Sequence, residues 1–225
     1  MRIENNKFLL ISIFNAYKIN EMKLFLRKIY LSFDAEVKKI RLKKQIKKGN
    51  TKITIGASDI YESGWNPTEL SFLNLTKEED FKALFSLNSI EAIIAEHVWE
   101  HLTPEDGKKA LANCFKYMKP GAYLRIAVPD GYHESKEYIS SVKPGGHGNG
   151  SDDHKILYTY QSMAKAMEEV GFKVNLLEYF NEKKEFVMNP WDKKQGNIRR
   201  SRYNDPRNTA DKIVYTSLIA DAVKP

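Results

Sequence analysis

The chain has 225 residues, 42% of them hydrophobic and 12% aromatic, an ordinary globular composition and a length that suits one domain with a substantial buried core. Its single cysteine, Cys114, excludes an internal disulfide and a multi-cysteine zinc site, and points to an intracellular, cytoplasmic protein. Residues 1–50 hold 13 Lys and Arg against 4 Asp and Glu, so this segment carries +9 of the net +7 and the remainder −2. A nucleic-acid enzyme would carry its positive charge around the active site, so the nearly neutral remainder argues against DNA or RNA as substrate.

Residues 1–50 read as one unit and 51–225 as a second. Phe8 to Phe14 is far shorter than a membrane span, and with Glu4 before it and no small-residue cleavage site after it, a signal peptide is not expected. From Glu21 to Lys48, apolar Met22, Leu26, Ile29, Phe33, Val37 and Ile40 recur every three or four positions among many lysines. The spacing predicts a basic amphipathic helix, closed by Gly49-Asn50. Its apolar face would pack on the domain or on a second subunit in a homodimer. Alternatively, residues 21–48 would make peripheral contact with an anionic membrane surface.

Lys52 to Ile55 is a short strand, followed by a turn at Gly56-Ala57-Ser58-Asp59. Gly64-Trp65-Asn66-Pro67-Thr68-Glu69 leads onward, and Thr76-Lys77-Glu78-Glu79 reads as a capping box opening a helix through Phe85. Ile90 to Ala95 is a buried parallel strand that leaves the sheet at Glu96-His97. Thr103-Pro104 starts a helix with Glu105 and Asp106 in its first turn. Ala110, Leu111, Cys114, Phe115 and Met118 recur at helical spacing, Pro120-Gly121 stops the helix, and Tyr123 to Val128 is the next strand. This βαβ unit sets its polar residues at the carboxyl ends of strands, where open α/β sheets bind ligands.

His97-Val98-Trp99-Glu100-His101 also fits the pattern of inverted zincin metallopeptidases. Those need both histidines one turn apart inside a long helix. Here a strand runs into the motif and a new helix starts two residues after it, so no metal is assigned. Asp130-Gly131-Tyr132-His133 leaves the Tyr123–Val128 strand, and the glycine-rich stretch Pro144 to Gly150, with His147 inside it, lacks the Lys-Ser/Thr of a Walker loop. It reads as a lid or substrate loop. Asp152-Asp153-His154-Lys155 sets carboxylates beside a histidine, an arrangement that raises imidazole basicity or merely caps the helix from Tyr160 to Val170. Phe172 to Tyr179 and Ile213 to Ile219 read as the last strands. Between them, Arg199-Arg200 near Trp191 suits a phosphate, carboxylate or sugar acid, or an ion-paired surface hairpin.

In order and spacing, His97-x-x-Glu100-His101, Met118-Lys119-Pro120-Gly121-Ala122, Val128-Pro129-Asp130-Gly131, the Lys143–Gly150 loop, Asp153-His154-Lys155 and Arg199-Arg200-Ser201 resemble a class I S-adenosylmethionine-dependent methyltransferase. The match is to a bacterial subgroup often linked with surface-polysaccharide genes, and it extends from about Lys52 to Val223. The resemblance implies a Rossmann-like α/β fold: a mainly parallel seven-stranded sheet with an antiparallel last strand and helices on both faces. It implies S-adenosylmethionine as cofactor, bound by Gly56, Ala57, Ser58, Glu69 (ribose hydroxyls), Asn74 (near adenine), Glu96 and His97. Of the usual glycine-rich first motif only Gly56 is kept. His97, His133 or His154, the last with Asp153, would supply the base, and Asp130, His147, Arg199 and Arg200 would face the acceptor. That acceptor is a saccharide or glycolipid precursor methylated on oxygen. The eroded first motif also leaves open a methyltransferase fold that binds a ligand or partner without turnover.

Overall fold

The computed structural model describes residues 2–57 and 62–225, with side chains described from Met22 onward. Seven strands, β1 (Lys52–Ile55), β2 (Asn66–Pro67), β3 (Ile90–Glu96), β4 (Met118–Pro129), β5 (Lys173–Phe180), β6 (Phe186–Met188) and β7 (Ser217–Val223), form one sheet in the order β2-β1-β3-β4-β7-β5-β6. The first four in that order are parallel, whereas β7 runs antiparallel to both β4 and β5, and β6 antiparallel to β5. This is the mainly parallel Rossmann-like sheet with a reversed last strand that the sequence predicts.

The helices are α1 (Arg2–Lys47), α2 (Glu78–Lys82), α3 (Pro104–Tyr117), α4 (Lys136–Val142) and α5 (Tyr160–Glu168). Strand alternation divides the apolar residues between two faces. One face carries Ile53, Ile93, Leu124 and Leu218, packed under Leu42 of α1, Phe81 of α2, Leu111 and Cys114 of α3 and Met163 and Met167 of α5. Cys114 is the core thiol expected of its position, and burial pushes its ionisation far up. α3 starts as predicted: Thr103 Oγ1 accepts from the Asp106 N–H at 3.2 Å, with Pro104 next.

The other face is covered differently. Helices were expected there too, but its apolar cluster (Trp65, Ala92, Ile94, Ala127, Leu177, Ile198 and Ile219) includes no residue of a described helix. The irregular connection after β6 lies over it. Arg125 and Asp221 are cross-strand partners in β4 and β7 and form a bidentate pair at 2.8 Å and 2.8 Å. Arg125 Nη1 then donates to the carbonyls of Gly196 (2.6 Å) and Asp192 (3.3 Å), and its guanidinium lies 5.0 Å from the Trp191 ring centre. Gly196 has φ +116° and a Cβ there would meet Ile94 Cδ1 at 2.7 Å, so only glycine fits.

Three local readings change. In α1 the face that docks is not the predicted apolar stripe: Leu42 and the partly buried Ala35 and Ile46 pack on the core, while Met22, Leu26, Ile29, Phe33 and Ile40 are exposed. Buried Lys38 decides the rotation, bonding to Asp34 (2.8 Å) and Glu69 (2.9 Å). The start of α2 is tied down by Asn74 and Asp80, since Asp80 Oδ2 accepts from Asn74 N–H and Asn74 Oδ1 from Thr76 N–H, and no capping box forms at Thr76. β7 begins at Ser217, later than expected, because Asn208 Oδ1 captures the N–H groups of Val214 (2.8 Å) and Tyr215 (2.9 Å) and withholds them from the ladder.

Removing one half of the Arg125–Asp221 pair strands the other in a dry setting. Arg125→Ala should therefore cost ~3–5 kcal/mol of unfolding free energy, read as a lowered urea midpoint; a change within error would show that the pair does not anchor the connection.

Candidate functional site

Two cavities open at the carboxyl ends of β1 and β3, one lined by Glu96 and the other by its neighbour His97. The first, about 150 Å³, is lined by Gly56 and Ala57 from the turn after β1, by Glu62, Glu96 and Arg199, and by Asn197. Gly56 turns the chain with φ +59°. Ser58 lies outside the described residues. Glu96, the last residue of β3, accepts from the backbone N–H of Arg199 (3.1 Å) and Arg200 (3.0 Å), and the Arg199 Nε is 3.5 Å away. One carboxylate thus draws the distant connection against the strand end.

The second cavity, about 200 Å³, is lined by His97, Glu100, His101, His154, Arg200, Arg207 and Tyr215 among others. His97 adopts φ +56°, rare for a residue with a side chain. Its N–H still reaches the Ala127 carbonyl at 2.8 Å, one step beyond the β3–β4 ladder, while the chain swings outward. His97 Nδ1 lies 2.7 Å from Glu100 Oε1 and Nε2 lies 3.2 Å from Ser217 Oγ. A carboxylate only accepts, so Nδ1 carries the proton. Glu100 sits in a single 3₁₀ turn, Trp99–His101, and is fully buried.

His154 Nδ1 donates to the Val142 carbonyl at 2.7 Å, and its Nε2 faces Glu100 Oε1 at 4.0 Å. His101 packs edge-on to His154 at 4.8 Å. Glu100, His101 and His154 each bring one potential ligand atom within 4.8 Å of the others. The sequence assigns no metal here, because the motif does not sit inside a long helix; His154, remote in the chain, joins it only through the fold. On the far wall, Arg207 bonds to Asp205 (2.7 and 2.5 Å) and lies over the Tyr215 ring at 3.9 Å.

A protein-family model described as "Methyltransferase domain" matches residues 27–177. The chain belongs to this methyltransferase-domain family. No curated protein matches it by sequence. Among solved structures, this methyltransferase domain is similar to a SAM-dependent methyltransferase from Archaeoglobus fulgidus, at 16% identity over 83% of this chain and 92% of that one, TM-score 0.44. Another is a SAM-dependent methyltransferase from Thermotoga maritima, at 12% identity over 77% and 73%, TM-score 0.46. A third is a Haemonchus contortus phosphoethanolamine N-methyltransferase in complex with S-adenosyl-L-methionine, at 13% identity over 52% and 24%, TM-score 0.36.

Of the residues singled out in the sequence, the methyltransferase domain brings Gly56, Ala57, Glu96 and Arg199 to the first cavity, and His97, His154 and Arg200 to the second. Others go elsewhere. Glu69 turns toward α1 and bonds Lys38. Asn74 is spent on the turn before α2. Asp130 is fully buried, accepting from the N–H groups of Tyr132 (2.9 Å) and Phe180 (2.7 Å), and burial pushes its carboxyl up to about 6. It ties the end of β4 to the end of β5 and lines neither cavity. His147 points to solvent beside Glu137, at 3.4 Å. Asp153 is exposed, bonded to Lys155 and 3.5 Å from His101, so Glu100 and not Asp153 is the carboxylate facing His154. Thr159, not Asp152 or Asp153, caps α5, in a reciprocal box with Ser162.

Sequence reasoning missed Glu62, Glu100 as a site residue, Arg207, Tyr215 and Ser217. Only Glu100 had a visible signal, its place inside the His-x-x-Glu-His pattern.

His133, a candidate base in the sequence, is instead a core residue. It stacks on Tyr138 at 3.9 Å, packs on Phe180, accepts the Ser135 N–H at Nδ1, and leaves Nε2 buried without a partner. Burial pushes its pKa from 6.5 down to about 4, so the stability it confers is complete above pH 6.5 and drains away as pH falls toward 4. His133→Phe should remove this loss. The variant's stability relative to wild type should rise by up to about 3 kcal/mol between pH 7 and pH 4, read from urea midpoints; a pH-independent difference would mean that His133 titrates normally.

Proposed function

We propose that this domain transfers the methyl group of S-adenosylmethionine to a hydroxyl of a saccharide or glycolipid precursor. The observation carrying the reading is the wall between the two cavities. Neighbours Glu96 and His97 point to opposite sides of it, as do Arg199 and Arg200. A donor site and an acceptor site therefore share one partition at the carboxyl ends of the strands, where a Rossmann-like sheet binds ligands.

The first cavity's chemistry fits the cofactor. Glu62 and Glu96 offer acceptors to ribose hydroxyls, an ammonium group or a sulfonium's positive charge, and Arg199 suits the amino-acid carboxylate. Gly56 and Ala57 present no side chain larger than a methyl group to this cavity. At about 150 Å³ the cavity holds one end of such a molecule. When bound, S-adenosylmethionine supplies an electrophilic methyl group on sulfur. His97 is the base this geometry favours. Glu100 fixes its Nδ1–H, and Nε2, which accepts from the Ser217 hydroxyl at 3.2 Å, takes the acceptor hydroxyl's proton once that hydroxyl replaces the serine's. Arg200 and Arg207 suit an acid or phosphate group on the saccharide.

α1 extends the reading to the substrate's location. Its exposed Met22, Phe25, Leu26, Ile29 and Phe33 lie among Lys23, Arg27 and Lys28, a pattern suited to an anionic lipid surface or to a second copy of the chain. No helix among the described residues is long and apolar enough to cross a membrane.

Titration calorimetry tests the cofactor. S-adenosylmethionine and S-adenosylhomocysteine should bind at micromolar Kd, and ATP and NAD should not. Glu96→Ala should weaken binding ~10-fold, about 1.4 kcal/mol, while Glu69→Ala should leave it unchanged. His97→Ala should bind the cofactor normally and lose turnover. Binding without turnover by wild type over a broad panel of hydroxyl acceptors would instead favour the non-catalytic binding module, and no binding would overturn the assignment.

For α1, wild type should sediment with phosphatidylglycerol vesicles and Phe25→Ser/Ile29→Ser should not. A stable dimer by light scattering, with no lipid binding, would assign the stripe to a second copy.

A further inference from the structure

Buried carboxylates at this end of the sheet are saturated with hydrogen bonds. Asp130 takes two backbone N–H groups, Glu178 takes Trp191 Nε1, the Arg202 N–H and the Thr216 hydroxyl, Asp221 takes Arg125, and Asp205 takes Arg207. Glu100 breaks the pattern. It is fully buried, its Oε1 takes the proton of His97, and its Oε2 has no partner among the described residues, the one buried carboxylate oxygen so placed. Leaving such an oxygen unmatched costs as much as losing a charged hydrogen bond.

The histidine opposite sharpens the point. Val142 O can only accept, so a proton of His154 sits on Nδ1, and Nε2 is the ring nitrogen that faces Glu100 at 4.0 Å. Both groups offer a ligand atom on the same side of the cavity. The His101 ring closes the third side, and one ligand atom from each of the three residues lies within 4.8 Å of the others. Around a tetrahedral zinc with bonds of about 2.1 Å, ligand atoms are roughly 3.4 Å apart, so small side-chain rotations close the set.

We propose that Glu100, His101 and His154 bind one divalent first-row transition-metal ion of the zinc type. Two imidazoles and a carboxylate suit zinc, or cobalt in its place, better than calcium, magnesium or manganese, which prefer oxygen ligands. The supports that hold metal ligands in place are present: Val142 O fixes the His154 tautomer, and His97 Nδ1–H orients the Glu100 carboxylate at 2.7 Å. The zincin pairing is not reproduced, because His97 turns to Glu100 and Ser217 and the second imidazole comes from the far side of the cavity. The remaining coordination position opens on the space lined by Arg200 and Tyr215, where an oxygen of a bound molecule would complete the shell. Metal binding here does not rest on the methyl-transfer reading, and its test needs neither cofactor nor acceptor.

The full chain, stripped with a chelator and dialysed, is titrated with zinc(II) against a chromophoric competitor, and with cobalt(II) followed by visible absorption. One tightly held ion per chain and cobalt bands of low-coordinate geometry are expected. His101→Ala and His154→Gln should each weaken binding ~100-fold or more. His101 is partly exposed, so its variant tests the site even if a Glu100→Gln chain does not fold. His147→Ala, outside the cavity, should bind as wild type does. Absence of stoichiometric binding by wild type would overturn the proposal, as would undiminished binding in the folded His101→Ala and His154→Gln variants.

Discussion

Every backbone N–H taken out of water needs an acceptor, and the stretch between β6 and β7 has only one 3₁₀ turn, Lys193–Gln195, and scattered turns in which to find one. The fold meets that demand with carboxylates planted on the sheet. Glu96 at the end of β3 takes the N–H groups of Arg199 and Arg200, and Glu178 in β5 takes that of Arg202 while also holding Trp191 and Thr216. Arg125 completes the set from the donor side by seizing the carbonyls of Gly196 and Asp192. An irregular chain can therefore cover a sheet face that a helix would cover with its own internal hydrogen bonds. The cover is thin, and its position depends on charged groups in β3, β4, β5 and β7.

That dependence reaches the site directly. Arg199 and Arg200 are held through their backbones by one carboxylate, and their side chains line different cavities. A shift of Glu96 moves both. A ligand in the first cavity that draws on Glu96 or Arg199 therefore bears on where Arg200 stands in the second. Two ligands sensing the same few residues through one rigid link is the simplest physical basis for coupling between them.

The sequence displayed the βαβ unit from Ile90 to Val128 because its signals are local, an apolar run and a capped helix of marked period; Met118 and Lys119-Pro120-Gly121, expected to close the helix, instead lie in β4, which starts directly after α3 ends at Tyr117. It displayed much less where long-range partners decide. The stripe of apolar residues on α1 is real, yet Lys38 bonding Asp34 and Glu69 turns the opposite side of the helix to the core. The same bond holds Glu69 on α1 and away from the cavity that Glu96 lines, where spacing alone had set it. Ile213 to Ser217 looks like strand by composition, but Asn208, close in sequence and pointing back, takes the N–H groups that the ladder needs. In the site, the pairing of Asp153 with His154 looked natural because the two are adjacent. Adjacent residues diverge on an extended backbone, and the carboxylate facing His154 is Glu100, contributed by the turn after β3.

The turn after β3 also shows why His97 tolerates φ +56°. A left-handed residue with a Cβ costs of order 1 kcal/mol and persists only where the surroundings over-determine it. Here the N–H is fixed by Ala127 O, Nδ1 by Glu100 and Nε2 by Ser217. Glycine at this position would remove the strain together with the ring, and asparagine could not span Glu100 and Ser217 at once. The conformation lets the strand finish with Glu96 on one side of the partition and begin its exit with an imidazole on the other. A strained histidine at the junction of two cavities, with both ring nitrogens engaged, is better accounted for by what the ring does there than by any gain to the fold, which would be served more cheaply by glycine.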